Sequence, residues 1–214
     1  MRLKLSQRFT IYIGAIMFAG IALLIFYNLH SNIRLLTEIG LSESERMGNR
    51  LFEELYRSMS AGGGREANRE IIERFRGIEE VVEVRVIHGK PIDMQHGMEA
   101  DEMPVDEYDR AALEGTPTSM VVKAPAGYRI ARFVKPVVAR EECVGCHLSR
   151  VGDVNGAVSI KISLKKYEGI IAGHARNFIY WGGGLLALSC ACILYVVHRR
   201  LLAPIEELKK GAEA

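Results

Sequence analysis

The chain has 214 residues, 49% of them hydrophobic and 25% charged, a composition that excludes wholesale disorder. Twenty-eight Lys+Arg against 26 Asp+Glu leave a net charge of +2, so no basic field points to nucleic acid. Four cysteines are too few for a disulfide-built scaffold.

The apolar residues gather in two uncharged blocks. Phe9 to Tyr27 reads FTIYIGAIMFAGIALLIFY, and Phe178 to Val197 reads FIYWGGGLLALSCACILYVV. As a helix each would extend about 30 Å, the thickness of a bilayer's hydrocarbon core. The first block is longer than a signal peptide's apolar region. No small-x-small cleavage site follows it at Asn28-Leu29-His30-Ser31, so it is expected to remain as an anchor. Arg2, Lys4 and Arg8 precede the first block, and His198, Arg199 and Arg200 follow the second. Basic flanks stay in the cytoplasm, which places both termini there. Residues 30 to 177 carry 21 Lys+Arg and 23 Asp+Glu, and a long mixed-charge segment of this kind can be exported. The expected organisation is a cytoplasmic N-terminus (1–8), a first transmembrane helix (9–29), an extracytoplasmic domain (30–176), a second transmembrane helix (177–197) and a cytoplasmic tail (198–214). The expected location is the cytoplasmic (inner) membrane.

Past the first span, residues 31 to 60 hold no Pro and only Gly40 and Gly48. Met47, Leu51, Leu55 and Met59 recur every four residues beside Phe52 and Tyr56, which predicts one long helix leaving the membrane. Gly62-Gly63-Gly64 ends it. Arg65 to Arg76 predicts a second helix burying Ile71, Ile72 and Phe75. Val82-Glu83-Val84-Arg85-Val86 alternates as a half-buried strand, and His88-Gly89-Lys90-Pro91 reads as a turn. Val105 to Glu114 predicts a short helix with Tyr108, Ala112 and Leu113 inward. Strands are expected at Ser119 to Lys123 and Tyr128 to Val138, joined around Pro125-Ala126-Gly127, and at Ala157 to Leu164. A helix from about Lys165 runs on into the second span. Helices flanking an antiparallel sheet make the fold class α+β.

One pentapeptide carries chemistry: Cys143-Val144-Gly145-Cys146-His147. C-x-x-C-H is the attachment signature of a c-type haem. Two thiols at this spacing can form thioethers with the two vinyl groups of one porphyrin, and the adjoining imidazole then becomes the proximal iron ligand. Gly145 is expected to help the turn by leaving the macrocycle uncrowded. With four Cys and six His in the chain, shuffling would produce only about 0.002 such matches. Two other uses of the cysteines stay open: a local Cys143–Cys146 disulfide, or half of a zinc site. Cys190 and Cys192 lie in the second span and read as small apolar residues.

The iron's other face needs a ligand or an open position. Candidates outside the spans are Met47, Met59, Met94, Met98, Met103, Met120, His88 and His96. Met59 leads, because it ends the apolar stripe beside the glycine run, although methionine there also serves as packing. Arg129, Arg132, Lys135 and Arg140 lie near the motif in sequence, and strand alternation lets only a subset reach haem propionates.

At this point the chain resembles the periplasmic haem c sensor domains, PAS-like in fold, of bacterial chemoreceptors and sensor histidine kinases. The resemblance rests on the span–domain–span layout, the long helix, the stretch YRIARFVKPVVAREECVGCH and the strand GDVNGAVSIKISL. It covers residues 1 to about 200, and only CVGCH is a sharp motif. Leu148 stands where such sensors often have Gly. The tail HRRLLAPIEELKKGAEA looks like the opening of a HAMP linker, so the chain is expected either to be the sensor part of a longer receptor or to signal through a partner. The resemblance implies a homodimer; the motif puts haem c on Cys143, Cys146 and His147, and the helix stripe makes Met59 the candidate for a further iron ligand. It implies a non-enzymatic sensor of redox state or of a gas such as NO, CO or O₂, signalling through the second span to a cytoplasmic module. A membrane-anchored monohaem cytochrome in electron transfer is the alternative.

Overall fold

The computed structural model describes residues 5–197 and Arg199. The HAMP-like reading of 198–214 therefore falls almost wholly outside the described residues, as does the start of the N-terminal segment. The chain forms two compact units, one from Arg34 to Gly169 and the other from the segments before and after it.

The Arg34–Gly169 unit is α+β. Its sheet contains β1 (Val81–His88), β2 (Thr118–Lys123), β3 (Arg129–Val138) and β4 (Val154–Ser163), all antiparallel in the order β1-β4-β3-β2. The last strand thus lies between the first and the third. Helix α1 (Leu5–Ser60) contributes its C-terminal half to this unit. α2 (Arg65–Arg76), α3 (Lys90–His96) and α4 (Glu107–Leu113) precede β2, a one-turn α5 (Glu141–Val144) follows β3, and α6 (Lys165–Val197) begins just past β4.

Two sets of contacts bury the sheet. Ile87, Val134 and Ala157 pack with Ala112 of α4, and Tyr108 and Leu113 close over them. The other set lies under α1, whose buried positions are Leu36, Gly40, Ser44, Gly48, Leu51, Phe52 and Leu55. Leu51 and Leu55 are buried as their spacing predicts, whereas Met47 is only half-buried. Between Leu36 and Leu51 the buried positions are Gly40, Ser44 and Gly48, small residues because the sheet supplies the bulk. A Cβ at Gly40 would lie 2.6 Å from a Leu164 methyl, and one at Gly48 would collide with the Phe133 ring. Gly40 and Gly48 are close-packing positions, not helix breaks.

Most predicted elements fall within a few residues of their expected bounds. α2 matches end to end, burying Ile71 and Phe75, while Ile72 is half-buried. α1 ends at Ser60, and Gly62 at φ 82 turns the chain. Two expectations change. The segment after His88 is not merely a turn but opens α3, with a proline in the first helical turn, where its missing N–H costs nothing. In β1 the polar position Arg85 is buried and Val82 is exposed. A register shift between Val81 and Glu83 re-aims the strand's start, and α4 covers the face that alternation assigned to solvent.

The second unit is described by its helices alone. α1 and α6 are each long and apolar enough over part of their length to cross a membrane. Their apolar side chains are uncovered, Phe18, Leu23, Phe26, Trp181 and Leu185 among them.

Candidate functional site

The pentapeptide sits on an excursion between β3 and β4. Its base is closed by backbone bonds, with Ala139 N–H donating to Asp153 O (2.8 Å) and Gly152 N–H donating to Ala139 O (3.0 Å). Within the loop, Arg140 is extended and α5 follows as a single turn. His147 N–H donates to Cys143 O at 3.0 Å, the i→i+4 bond of a helix. Positions i, i+3 and i+4 share a helix face, so this turn presents Cys143, Cys146 and His147 together. Gly145 and Cys146 form a turn directly after α5, and the chain bends at His147 and Leu148.

Both cysteines are free thiols, Cys143 half-buried and Cys146 exposed. The His147 ring is half-buried, and its Nδ1 is buried without a hydrogen-bond partner. Burial, reinforced by neighbouring His96 and His88, holds its pKa below the ordinary histidine range, so the ring is neutral at pH 7. A neutral imidazole with an uncommitted nitrogen is the form that binds iron. Among the described residues no group of three or more His, Cys, Asp or Glu is placed to hold a metal ion. A haem does not require one, because the porphyrin supplies four nitrogens and the protein only the axial ligands. The residues present therefore fit a haem c.

Gly145 departs from expectation in its reason. Its backbone is ordinary right-handed helix (φ −68°, ψ −24°), and a Cβ there would meet only the Glu142 carbonyl oxygen, at 4.0 Å. The polypeptide itself does not require glycine at this position.

Two elements approach the loop. On one side α3 brings Gln95, whose side-chain amide donates to Cys146 O (2.9 Å) and accepts from Leu148 N–H (3.1 Å). These two bonds bracket His147. The next residue, His96, sets its ring 6.0 Å from that of His147, the planes 87° apart. His88 is engaged elsewhere: its Nδ1 lies 3.1 Å from Gly97 O and 3.3 Å from a Glu102 carboxylate oxygen. On the other side Arg140 lies over the rings of Phe52 and Tyr56, and Lys135 lies over Phe52 and donates to Asn49 (2.8 Å). Phe52, Tyr56 and Met59 follow at i, i+4 and i+7, one face of α1. Met59 is half-buried there, one turn beyond the residues that touch the loop's first residue.

The other basic residues are committed. Arg129 pairs with Glu168 of α6 at 3.3 Å. Arg132 is buried against Asp106 and Asp109, which removes it from the haem-propionate candidates. Asp109, fully buried, also takes Arg85 at 2.7 Å and the Val105 N–H at 3.0 Å. Burial opposes ionisation of Asp106, yet the Arg132 guanidinium and the N–H groups of Asp109 and Tyr108 outweigh it and hold the carboxyl below its usual range. This network fastens α4 to β1 and β3. Sequence reading missed it, because Asp109 lies 24 and 23 residues from its two arginines and carries no periodic signal. Gln95 was missed for the same reason, lying 51 residues from Cys146.

Among the methionine candidates, Met94 and Met103 are exposed, and Met47, Met98 and Met120 are half-buried. No protein-family model matches the sequence, and no curated protein matches it.

Proposed function

We propose that this protein is a membrane-anchored, extracytoplasmic haem c sensor. The observation that carries the reading is the turn closed by the His147 N–H on Cys143 O (3.0 Å), which gathers Cys143, Cys146 and His147 at positions i, i+3 and i+4. Cys143 and Cys146 would hold the porphyrin by thioether bonds, and His147 would bind its iron. When bound, a haem c supplies an iron that can change oxidation state and exchange its remaining axial ligand. The antiparallel sheet, with helices between its first and second strands and a long helix against it, supports the PAS-like reading of the domain.

The surrounding residues give such a change somewhere to go. Met59 is a soft thioether that prefers ferrous to ferric iron, and it stands on the helix that leads back to the first apolar segment. Arg140 ties the loop to that same helix through Phe52 and Tyr56. On the exit side, Lys166 pairs with Glu80 at 2.8 Å and Glu168 accepts from the Arg129 N–H at 3.3 Å, so the first turn of α6 is fastened to the sheet. The uncovered apolar residues of α1 and α6 support two transmembrane spans, since large apolar surfaces of this kind need a lipid or protein cover. With the basic flanks inside, both termini are cytoplasmic and a homodimer passes the signal through α6 to a HAMP-like linker and its cytoplasmic module. To move a two-state equilibrium from 1:99 to 99:1, the input must favour one helix arrangement by about 5.5 kcal/mol.

The test separates sensing from electron transfer. Haem-loaded full-length protein in nanodiscs, spin-labelled at position 165, is compared oxidised, reduced and reduced with CO. A sensor changes its inter-label distance together with its haem spectrum. A spectrum that changes with no movement at position 165 makes the protein an electron carrier.

A further inference from the structure

The iron's second ligand in the oxidised protein can be argued from α3. His96 is that helix's last residue, is exposed, and has its ring 6.0 Å from His147. Two imidazoles bound across one metal, at about 2 Å each, hold their ring centres about 6 Å apart. The partner ring is therefore at the right distance already. Its register is fixed by the preceding residue: Gln95 spans Cys146 O and Leu148 N–H, on either side of His147. The following residue is fixed too, because Gly97 O is held by His88 Nδ1.

α3 is tethered at its two ends, by the Gly89 N–H on Asn155 O (2.8 Å) and by Gln95, but none of its own seven residues is buried. An element with so few buried contacts can shift at low cost, which is what a flat macrocycle entering between two rings requires.

We propose that His96 is the second axial ligand of ferric haem in this protein, with Gln95 as the positioning residue that aims α3 at the site. The inference rests on the haem c reading above. It also completes the role of Met59. Imidazole nitrogen suits ferric iron and thioether sulfur suits ferrous iron. On reduction by a one-electron donor, His96 would release the iron and the Met59 thioether proposed above would take its place. The iron's hold then passes from α3 to α1, the helix that enters the membrane.

The experiment uses the full chain, matured with haem and purified in detergent. It compares wild type with His96→Phe, which keeps a ring but cannot ligate, and with Gln95→Ala and Met59→Ala. The readouts are ferric electron paramagnetic resonance, optical spectra in both oxidation states and a pyridine haemochrome. Wild type is expected to be ferric low-spin, with the strong anisotropy of near-perpendicular imidazole planes. His96→Phe is expected to turn ferric high-spin, to regain the low-spin signal with added imidazole, and to keep its ferrous spectrum. Gln95→Ala gives a high-spin/low-spin mixture, and Met59→Ala alters only the ferrous form. A ferric His96→Phe protein that stays low-spin overturns the proposal, as does a wild type that is ferric high-spin with its haem in place. Absence of a c-type haemochrome from wild type would instead sink the haem reading, so the two failures are told apart.

Discussion

Asp109→Ala tests whether the buried charge network holds α4 and the sheet together. The side chain is fully buried, within 2.7 Å of Arg85 and 2.6 Å of Arg132. Arg132 would keep Asp106 after the substitution. Arg85, itself 8% exposed, would keep only the Met103 carbonyl. Removing one partner from a buried ion pair typically costs about 3–5 kcal/mol, because the remaining charge is left unpaired away from water. The Val105 N–H would lose its acceptor as well, at a further cost of about 1 kcal/mol. A loss of about 4–6 kcal/mol is a large part of a domain's total stability. Asp109→Asn should lose less, since it can still accept from Val105. Pulse proteolysis of the full chain in detergent across a urea series reads this directly, and avoids relying on Trp181, the one tryptophan, which lies in α6. If Asp109→Ala unfolds within about 1 kcal/mol of wild type, the network is not what secures α4, and the packing of Tyr108, Ala112 and Leu113 suffices.

Three further outcomes are expected. Gly48→Ala should destabilise by up to about 2 kcal/mol in urea titration, because overpacking Phe133 costs about 1–3 kcal/mol against a helix-propensity gain of about 1; net stabilisation would mean α1 is not pressed onto the sheet. Asp106 has a lowered folded-state pKa, so its contribution is present above the unfolded value of about 4 and is lost as pH falls through the folded value. Asp106→Asn should therefore be less stable at pH 7 and show a shallower acid loss below about pH 4 in the same proteolysis assay. Reporter fusions after Ser60 and Leu164 should be active only outside the cytoplasm, and one after Lys210 only inside; a cytoplasmic signal at Leu164 would reverse the topology.

What the sequence made legible was whatever has local periodicity. The apolar blocks, the helix over Arg65–Arg76 and the strand at Ala157–Leu164 each repeat within a few residues, so they could be read, the helix to its bounds and the strand without its first residues from Val154. The C-x-x-C-H spacing was equally local, and one helical turn is enough to gather it. Contacts between distant residues left no such trace. Asp109 looked like any acidic residue in a first helical turn, and its burial follows only from the two arginines that the sheet brings to it. The packing of Gly48 against Phe133, 85 residues away, left no trace of this kind either. α3 was hidden because Gly89-Lys90-Pro91 signals a turn as readily as a helix start, and its consequence, His96 beside His147, depends on tertiary placement. Met59 stayed a candidate for the opposite reason: its periodicity was visible, but packing and ligation both put a methionine there.

The most direct test of the central claim is covalent attachment of haem. The full chain, expressed with a c-type maturation system, is denatured, run on a gel and stained for haem, and a pyridine haemochrome is recorded beside Cys143→Ala/Cys146→Ala. The account predicts a stain that survives denaturation and acid acetone, a c-type haemochrome, and loss of both in the double variant. Haem that is extracted by acid acetone, or a stain unchanged when both cysteines are gone, would contradict it.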